Sequence, residues 1–450
     1  MRRFYSLAWL LALPLAFFYL LWRSRHQPEY RRHWLERLGF IATPSDKPVI
    51  WVHAVSVGET RAAEPLIRAL QARHPDHAIL LTHMTPTGRA PGRALFGDSV
   101  AQGYLPYDLP WLVRRFLHRA QPRLGLIMET EVWPSLFAAC REHGVPLFLV
   151  NARLSEKSAQ GYARLRPLVQ PTLACLAGIA AQTEADAERL RQLANLPTPA
   201  LPINGEGANP SPIYGGGWEG EPPIVVVGNL KFDVTPPTET AARAAELRLL
   251  FGDRFAVLVA SSREGEEAWL LDALMPLDLP GLLLVIVPRH PQRFDEVARL
   301  IADRGLNCPR RSRGQAATGA DRVYLGDSMG EMAAYCAASD IVIVGGSLLP
   351  FGGQNLIEAS AAGKPVLLGP HTWNFEQASE DAVQSGAARR VQDVTELAPV
   401  LRELYGNAGL RERMGVAGAA FAQRHRGATE RILRLIEPAL GWNSPSLPPP

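Results

Sequence analysis

The 450 residues carry 47 Lys and Arg against 44 Asp and Glu, a formal net charge of +3. At 47% hydrophobic and 20% charged, the chain is neither disordered nor a protein of many membrane spans, and its length calls for two or three domains. Residues 1–37 hold seven Arg and two Glu, a local net of +5 that leaves the rest at −2; a nucleic-acid-binding body, which needs a basic face, is excluded.

Residues 4–22 form an uncharged run of 19. As a helix it would extend about 28 Å, close to the hydrocarbon thickness of a bilayer. Trp9 lies within it; Tyr5, Tyr19 and Trp22 sit nearer its ends, where amphipathic rings favour the interface. Pro14 is tolerable in a membrane helix. Arg2 and Arg3 precede the run, and Arg23, Arg25, Arg31, Arg32 and Arg37 follow it. The heavier basic flank places the body in the cytoplasm, attached to the inner (cytoplasmic) membrane by a single N-terminal anchor. The run is followed by Trp22-Arg23-Ser24-Arg25-His26 with no small-x-small cleavage site, so an uncleaved anchor is expected rather than a secretory signal. The arginines either hold anionic head groups, at about 1 kcal/mol each, or only fix topology. Cys140, Cys175, Cys308 and Cys336 have no metal spacing and fit a reducing compartment.

From residue 49 onward, β-rich apolar runs alternate with helical patterns. Strands are expected at 49–55, 79–84, 124–128 and 146–150, with helices at 59–73, 111–119 and 133–142. This is the pattern of a doubly wound α/β domain, assigned to 38–205. Residues 204–223 are rich in Gly, Pro and Asn and read as a linker, bounded at 206–223. A second alternation gives a second domain at 224–440. Its expected strands are 224–227, 256–259, 282–287, 323–325, 341–344 and 365–368, and its helices 266–274, 293–303, 329–337 and 356–362. The Pro/Ser-rich tail 441–450 reads as disordered. Two such domains suggest a ligand cleft at the carboxyl ends of their strands.

Four segments can carry chemistry. In Trp51-Val52-His53-Ala54-Val55-Ser56-Val57-Gly58-Glu59-Thr60 a strand ends and Glu59 opens a helix, whose dipole and free amides favour an ionised carboxylate. Glu59 fits a proton acceptor and equally a plain capping acid; His53 fits a hydrogen-bonded strand-end residue better than a catalyst. In Ile127-Met128-Glu129-Thr130-Glu131-Val132-Trp133-Pro134 two acids follow a strand and can orient a hydroxyl, or merely cap and face solvent. The third segment runs from Gly345-Gly346-Ser347 through Gly352-Gly353-Gln354-Asn355 to Glu358. Glycines let backbone amides approach an anion, and Glu358 can accept from ribose hydroxyls; a plain structural turn is the alternative. The segment is neither the dinucleotide fingerprint nor a P-loop. Fourth, Arg289 and His290 follow the strand 282–287, and Lys231 lies in Gly228-Asn229-Leu230-Lys231; each fits a phosphate or a surface ion pair.

These segments, in this order behind an anchor, resemble the transferases of 3-deoxy-D-manno-octulosonic acid (Kdo). The likeness extends to Asn151-Ala152-Arg153-Leu154-Ser155, Gln182-Thr183-Glu184-Ala185-Asp186 and Gly369-Pro370-His371-Thr372-Trp373-Asn374-Phe375. The resemblance implies a GT-B glycosyltransferase fold, with two Rossmann-like domains. It implies CMP-Kdo as donor and a lipid A precursor as acceptor in lipopolysaccharide biosynthesis, with inversion and with neither metal nor cofactor. Glu59 would be the general base, with Glu129 and Glu131 as the second acidic motif. Lys231, Arg289, Gly345, Gly346, Ser347, Gly353, Asn355 and Glu358 would bind the donor. Ser56, Gly58 and Arg61 would meet the acceptor, and Arg89 and Arg93 can meet lipid phosphates. Two departures stand out: Gln354 replaces a common His and cannot become cationic, and Arg263 replaces another. Another GT-B enzyme using a UDP-sugar, or a non-catalytic nucleotide-binding membrane protein, would share much of this pattern.

Overall fold

The structure is a computed structural model that describes residues 1–42, 46–196 and 222–441. All but the last two positions of the expected linker, and the tail beyond 441, lie outside the described residues. The chain divides into two compact units, one of Met1–Val234 with Arg426–Pro450 and the other of Thr235–His425.

The first unit is built on a parallel sheet of seven strands: β1 (Val49–His53), β2 (Ala78–His83), β3 (Ala101–Tyr104), β4 (Pro122–Met128), β5 (Leu147–Ala152), β6 (Gly178–Ala181) and β7 (Ile224–Val226). Their order is β3-β2-β1-β4-β5-β6-β7. Both faces are covered, and the strand period of two divides β1 between two cores. Val49 and Trp51 join one cluster, with Phe116 and Phe137; Ile50 and Val52 join the other, with Leu66 and Ile432. Each fully buried side chain of this size stabilises by about 1.5–3 kcal/mol.

The second unit has six parallel strands: β8 (Phe255–Ser262), β9 (Leu282–Pro288), β10 (Val323–Leu325), β11 (Ile341–Val344), β12 (Val366–Leu368) and β13 (Ala388–Arg390). Their order is β10-β9-β8-β11-β12-β13. In both sheets the order reverses beside the first strand, which is where doubly wound folds open their ligand sites.

The division of the chain differs from the expected one at two points. β7 pairs with β6 through Ile179 and Ile224, so the strand expected to open the second domain closes the first sheet. The helix Ala428–Leu440 also belongs to the first unit, burying Ile432, Leu433 and Ile436 against its core. Apolar periodicity marks a strand or helix but not the sheet that receives it. β3 escaped the sequence reading because Ala-Gln-Gly-Tyr lacks β-branched residues. A Cβ on its Gly103 would lie 2.6 Å from Ile41 Cδ1, so a side chain there would displace the end of Ile41.

The carboxylate of Asp233 fixes the returning helix. It accepts from the amides of Gly427 (2.7 Å) and Thr429 (2.6 Å), groups at the helix start that have no intrahelical partner. Arg73 adds ion pairs to Glu430 (2.6 Å) and Glu437 (2.8 Å). These are exposed and contribute little. We predict that Asp233→Ala lowers unfolding stability by about 1–2 kcal/mol, the usual cost of a lost cap, read as a lower urea midpoint. An unchanged midpoint would show that the cap is dispensable.

Candidate active site

The first group of site residues gathers at the carboxyl ends of β1 and β4. Ser56 is the N-cap of the helix Val57–Arg73, its hydroxyl accepting from the Glu59 amide at 3.2 Å. Glu59 reaches back so that its Oε2 accepts from the Val55 amide at 2.8 Å. This reciprocal capping holds the carboxylate in one place. Burial raises the Glu59 carboxyl above its ordinary value, and the charge of Glu129 raises it further. Glu131 is pushed up to about 7, first by burial and then by Glu59 and Glu129. The structure therefore brings together the three acids that the sequence offered from two segments. Glu129 sits at φ 56°, a left-handed conformation that costs a non-glycine residue about 1–3 kcal/mol.

Lys231 lies in this same group. Its Nζ is 3.6 Å from Glu129 Oε1, and it belongs to the first unit. A relay of amides carries its loop. Gln182 Nε2 donates to the Asn151 carbonyl at 2.9 Å, and Asn229 Nδ2 donates to Gln182 Oε1 at 2.9 Å. Asn151 Oδ1 accepts from the Leu230 amide at 3.0 Å. The exits of β5, β6 and β7 are thus tied together next to Lys231. No charge or nucleophile marks these amides in the sequence; Asn151 and Gln182 stand there only within segments that carry the family resemblance, without a role of their own.

Of the remaining first-unit candidates, Ser56 and Arg61 are exposed. A Cβ on Gly58 would meet only Ser56 Oγ, at 3.8 Å, so neither packing nor backbone demands glycine there. The space it leaves lies beside Glu59. His53 is fully buried, its Nδ1 2.9 Å from Thr82 Oγ1. Burial, aided by the neighbouring His83, pushes it down to about 3, so it stays neutral and serves the strand end. Arg89 is buried and committed to Glu36 at 2.8 Å and to the Gln102 carbonyl at 3.0 Å, which removes it as a ligand for lipid phosphate. Arg37 is also buried, its guanidinium 4.1 Å from the Tyr104 ring centroid, so it does not belong to a lipid-facing basic flank. Arg93 is exposed.

The second group lies in the other unit, where β11 runs into the glycine-rich loop. Gly345 is required by close approach: a Cβ there would lie 2.4 Å from the Ser261 carbonyl oxygen. Gly346 has φ 69°. Several loop amides are already used. Glu266, fully buried, accepts from the amides of Arg263 (2.9 Å), Gly346 (2.6 Å) and Leu348 (3.2 Å). Gly345 N–H donates to Ala260, and Gly353 N–H to Gly346. These groups shape the loop and do not serve an anion. Ser347 is likewise structural: it is buried, donates to the Val344 carbonyl at 2.5 Å and accepts from the Gly369 amide at 2.9 Å. Glu266 was missed as a site residue, although, like Glu59, it is an acid opening a helix after a strand.

Charge and hydrogen-bonding capacity at this loop come from side chains. Arg289 Nε donates to Gln354 Oε1 at 3.2 Å. Arg263 lies 4.4 Å from the Phe351 ring centroid, within cation–π range. Asn355 Nδ2 donates to Glu358 Oε1 at 2.9 Å, while Asn355 Oδ1 accepts from the Ile357 amide at 3.0 Å. Burial and the positive charge of Arg289 lower His290, which disfavours its cationic form.

Residues 32–201 match the family model described as 3-Deoxy-D-manno-octulosonic-acid transferase (kdotransferase). The 3-deoxy-D-manno-octulosonic acid transferase of Bordetella pertussis is 43% identical over 403 residues, covering 87% of each chain. The enzyme of the same name from Haemophilus influenzae is 36% identical, over 98% of this chain and 99% of its own. The chain belongs to the Kdo transferase family. It is a glycosyltransferase. A UDP-N-acetylglucosamine 2-epimerase structure from Neisseria meningitidis, bound to UDP-GlcNAc, superposes with a TM-score of 0.59 at 14% identity, over 87% of this chain and all of its own. A glycosyltransferase structure from Rickettsia africae superposes with a TM-score of 0.58 at 13% identity, over 88% of this chain and all of its own. These likenesses concern the fold alone, which is GT-B.

Within this Kdo transferase, Gln354 has a definite task. Its carbonyl accepts from Arg289, which an imidazolium cannot do. The acidic corner also carries a pH signature. Because the folded Glu131 carboxyl lies near 7 and above its unfolded value, the folded state binds the extra proton between the two values. Stability from this group is therefore present at low pH and lost as pH rises through about 7. We predict that Glu131→Gln melts close to wild type at pH 5 and above it at pH 8. A difference in melting temperature that does not vary with pH would show that Glu131 is not crowded as described.

Proposed function

We propose that the protein transfers Kdo from CMP-Kdo to a glucosamine hydroxyl of a lipid A precursor, with inversion, at the cytoplasmic face of the inner membrane. The observation that carries this reading is Glu59: a carboxylate held in place by the Val55 amide, beside two further acids and next to an open glycine position, in a Kdo transferase.

In this reading Glu59 takes the proton from the acceptor hydroxyl as that oxygen attacks the anomeric carbon of Kdo. The new C–O bond forms while the bond from the anomeric carbon to the CMP phosphate breaks. One displacement inverts the centre, and the electron pair leaves on the phosphate. Burial and Glu129 raise Glu59 toward the working pH, the direction that improves a base as long as it is ionised. Lys231 offsets the charge of Glu129 and so limits how far the repulsion goes. Glu129 and Glu131 then orient the sugar on which the hydroxyl sits, and Ser56 and Arg61 are available to the rest of the acceptor. On the donor side Arg289, steered by Gln354, faces the phosphate, and Glu358, held by Asn355, accepts from ribose hydroxyls. Fixed charges placed where negative charge develops need no reorganisation during the reaction. Gly345, Gly346 and Gly353 contribute the shape of the loop. The long apolar helix at the N-terminus attaches the enzyme to the membrane that holds its acceptor, which raises the effective concentration of that acceptor.

The test is incubation of the protein with CMP-Kdo and a lipid A precursor, followed by the acceptor's mass. Wild type is expected to add Kdo, and no gain in mass would sink the proposal. Glu59→Gln is expected to lose about 10²–10⁴-fold in transfer rate, the usual worth of a general base, while CMP affinity stays within a few fold. Wild-type transfer by Glu59→Gln would remove Glu59 as the base. Glu358→Ala is expected to weaken CMP binding, and an unchanged affinity would remove its ribose role.

A further inference from the structure

The helix Arg2–Arg23 is apolar on every side and long enough to cross a membrane, yet its exposure is periodic. Tyr5, Trp9, Leu13, Phe17 and Leu20 are wholly or partly buried, while Phe4, Leu7, Leu11, Leu15, Phe18 and Trp22 are exposed. Each set follows the spacing of three and four that marks one helical face.

The inner face rests on the first unit along most of its length. Arg2 donates to Glu142 at 3.3 Å, and Tyr5 lies beside Asp108. Trp9 and Phe17 lie 5.7 and 5.8 Å from the Tyr107 ring centroid, and Phe17 lies 5.3 Å from that of Trp34. Contacts from Arg2 to Phe17 cover about 22 Å of helix axis at 1.5 Å per residue. A helix laid along the body over that length cannot also stand across a bilayer. The exposed pair Arg114 and Glu142 would have to enter the hydrocarbon beside it, at about 2.5–3.5 kcal/mol for a charged group at mid-depth.

We propose that this helix lies in the plane of one leaflet, with its inner face on the first unit, its outer face in an anionic bilayer, and both helix ends on the same side as the body. The inference rests on the membrane reading above and changes its geometry from spanning to in-plane. The outer face supplies Leu, Phe and Trp. Arg3 precedes it, and Arg23, Arg25 and Arg32, all exposed, follow it, the charge that anionic head groups favour. The seat also sets a height. Asp108, next to Tyr107, accepts from the amides of Ser135 (3.0 Å) and Leu136 (2.8 Å), at the start of the helix that follows Glu129 and Glu131. Helix seat and acidic corner belong to the same compact unit, and on this proposal the membrane-lying helix holds the corner near the head groups, where the sugar of a lipid acceptor lies.

The test uses the full chain with an N-terminal epitope tag, expressed in a Gram-negative cell. Protease added to intact spheroplasts is expected to leave the tag, and protease added to inverted inner-membrane vesicles to remove it. Loss of the tag from intact spheroplasts would overturn the proposal. As a second arm, L11E/L15E is expected to lose flotation with phosphatidylglycerol-containing vesicles by about tenfold, since two outward leucines become charged. Its transfer to a detergent-dispersed acceptor should stay within about twofold, because neither leucine touches the site. Undiminished flotation of L11E/L15E would also overturn the proposal. A wild-type protein whose tag is protected in spheroplasts but which transfers no Kdo would support the in-plane helix and refute the assigned reaction.

Discussion

Like-charge crowding at the exits of β1 and β4 is the constraint on which the rest of the first unit depends. Glu59 and Glu131 lie with Glu129 in one partly buried corner, and burial and like charge both penalise the ionisation of Glu59 and Glu131. The fold answers with fixed partners rather than with solvent. The Val55 amide and the dipole of the helix Val57–Arg73 hold Glu59, and Lys231 stands at Glu129. Lys231 is in place because Asn151, Gln182 and Asn229 tie three strand exits together. That is why β7 must close this sheet: were it in the other unit, the lysine would leave with it.

The second unit solves the complementary problem, presenting positive charge without burying it unpaired. Its glycine-rich loop looks at first like an anion nest, but Glu266 occupies the amides that such a nest would offer. A buried carboxylate facing three amides fixes the loop, and positive charge beside it comes from the Arg289 side chain, which donates to Gln354. Stiffness and charge are thereby separated. The glycines are needed for the close approach of Gly345 to Ser261 and for the left-handed turn at Gly346, and the arginine is aimed by a neutral amide. Gln354 suits this arrangement better than a titrating imidazole would, since its acceptor does not vanish when pH falls.

The parts legible in the sequence were those in which one local signal implied one local structure. The runs at 49–55 and 341–344 became β1 and β11, and the helix expected at 266–274 is Glu266–Leu274. Glu59, Glu129 and Glu131 were visible as acids following strands. What stayed hidden was set by tertiary partners. Nothing local in Ile-Val-Val says which sheet will take it, so the sequence alone puts the domain boundary at 224, ahead of Lys231. Ser347 and Arg89 carry residue types that bind phosphate, but each is buried against backbone carbonyls or a carboxylate it already satisfies. A side chain's chemistry is readable in one dimension, and its availability is not.

The N-terminal helix shows the same limit in a sharper form. Surface helices of globular proteins reveal their inner face because the outer face is polar. Here the outer face is apolar as well, so the periodic signal cancels, leaving a run that resembles a membrane span. The seat on the first unit, centred on Tyr107 and Trp34, separates the two faces. Once they are separated, the basic flank also divides. Arg37 turns inward onto Tyr104, and Arg23, Arg25 and Arg32 remain exposed. The net +5 of the first 37 residues therefore overstates the charge available to a lipid surface, because part of it is spent inside the protein stabilising the strand exit that borders the helix seat.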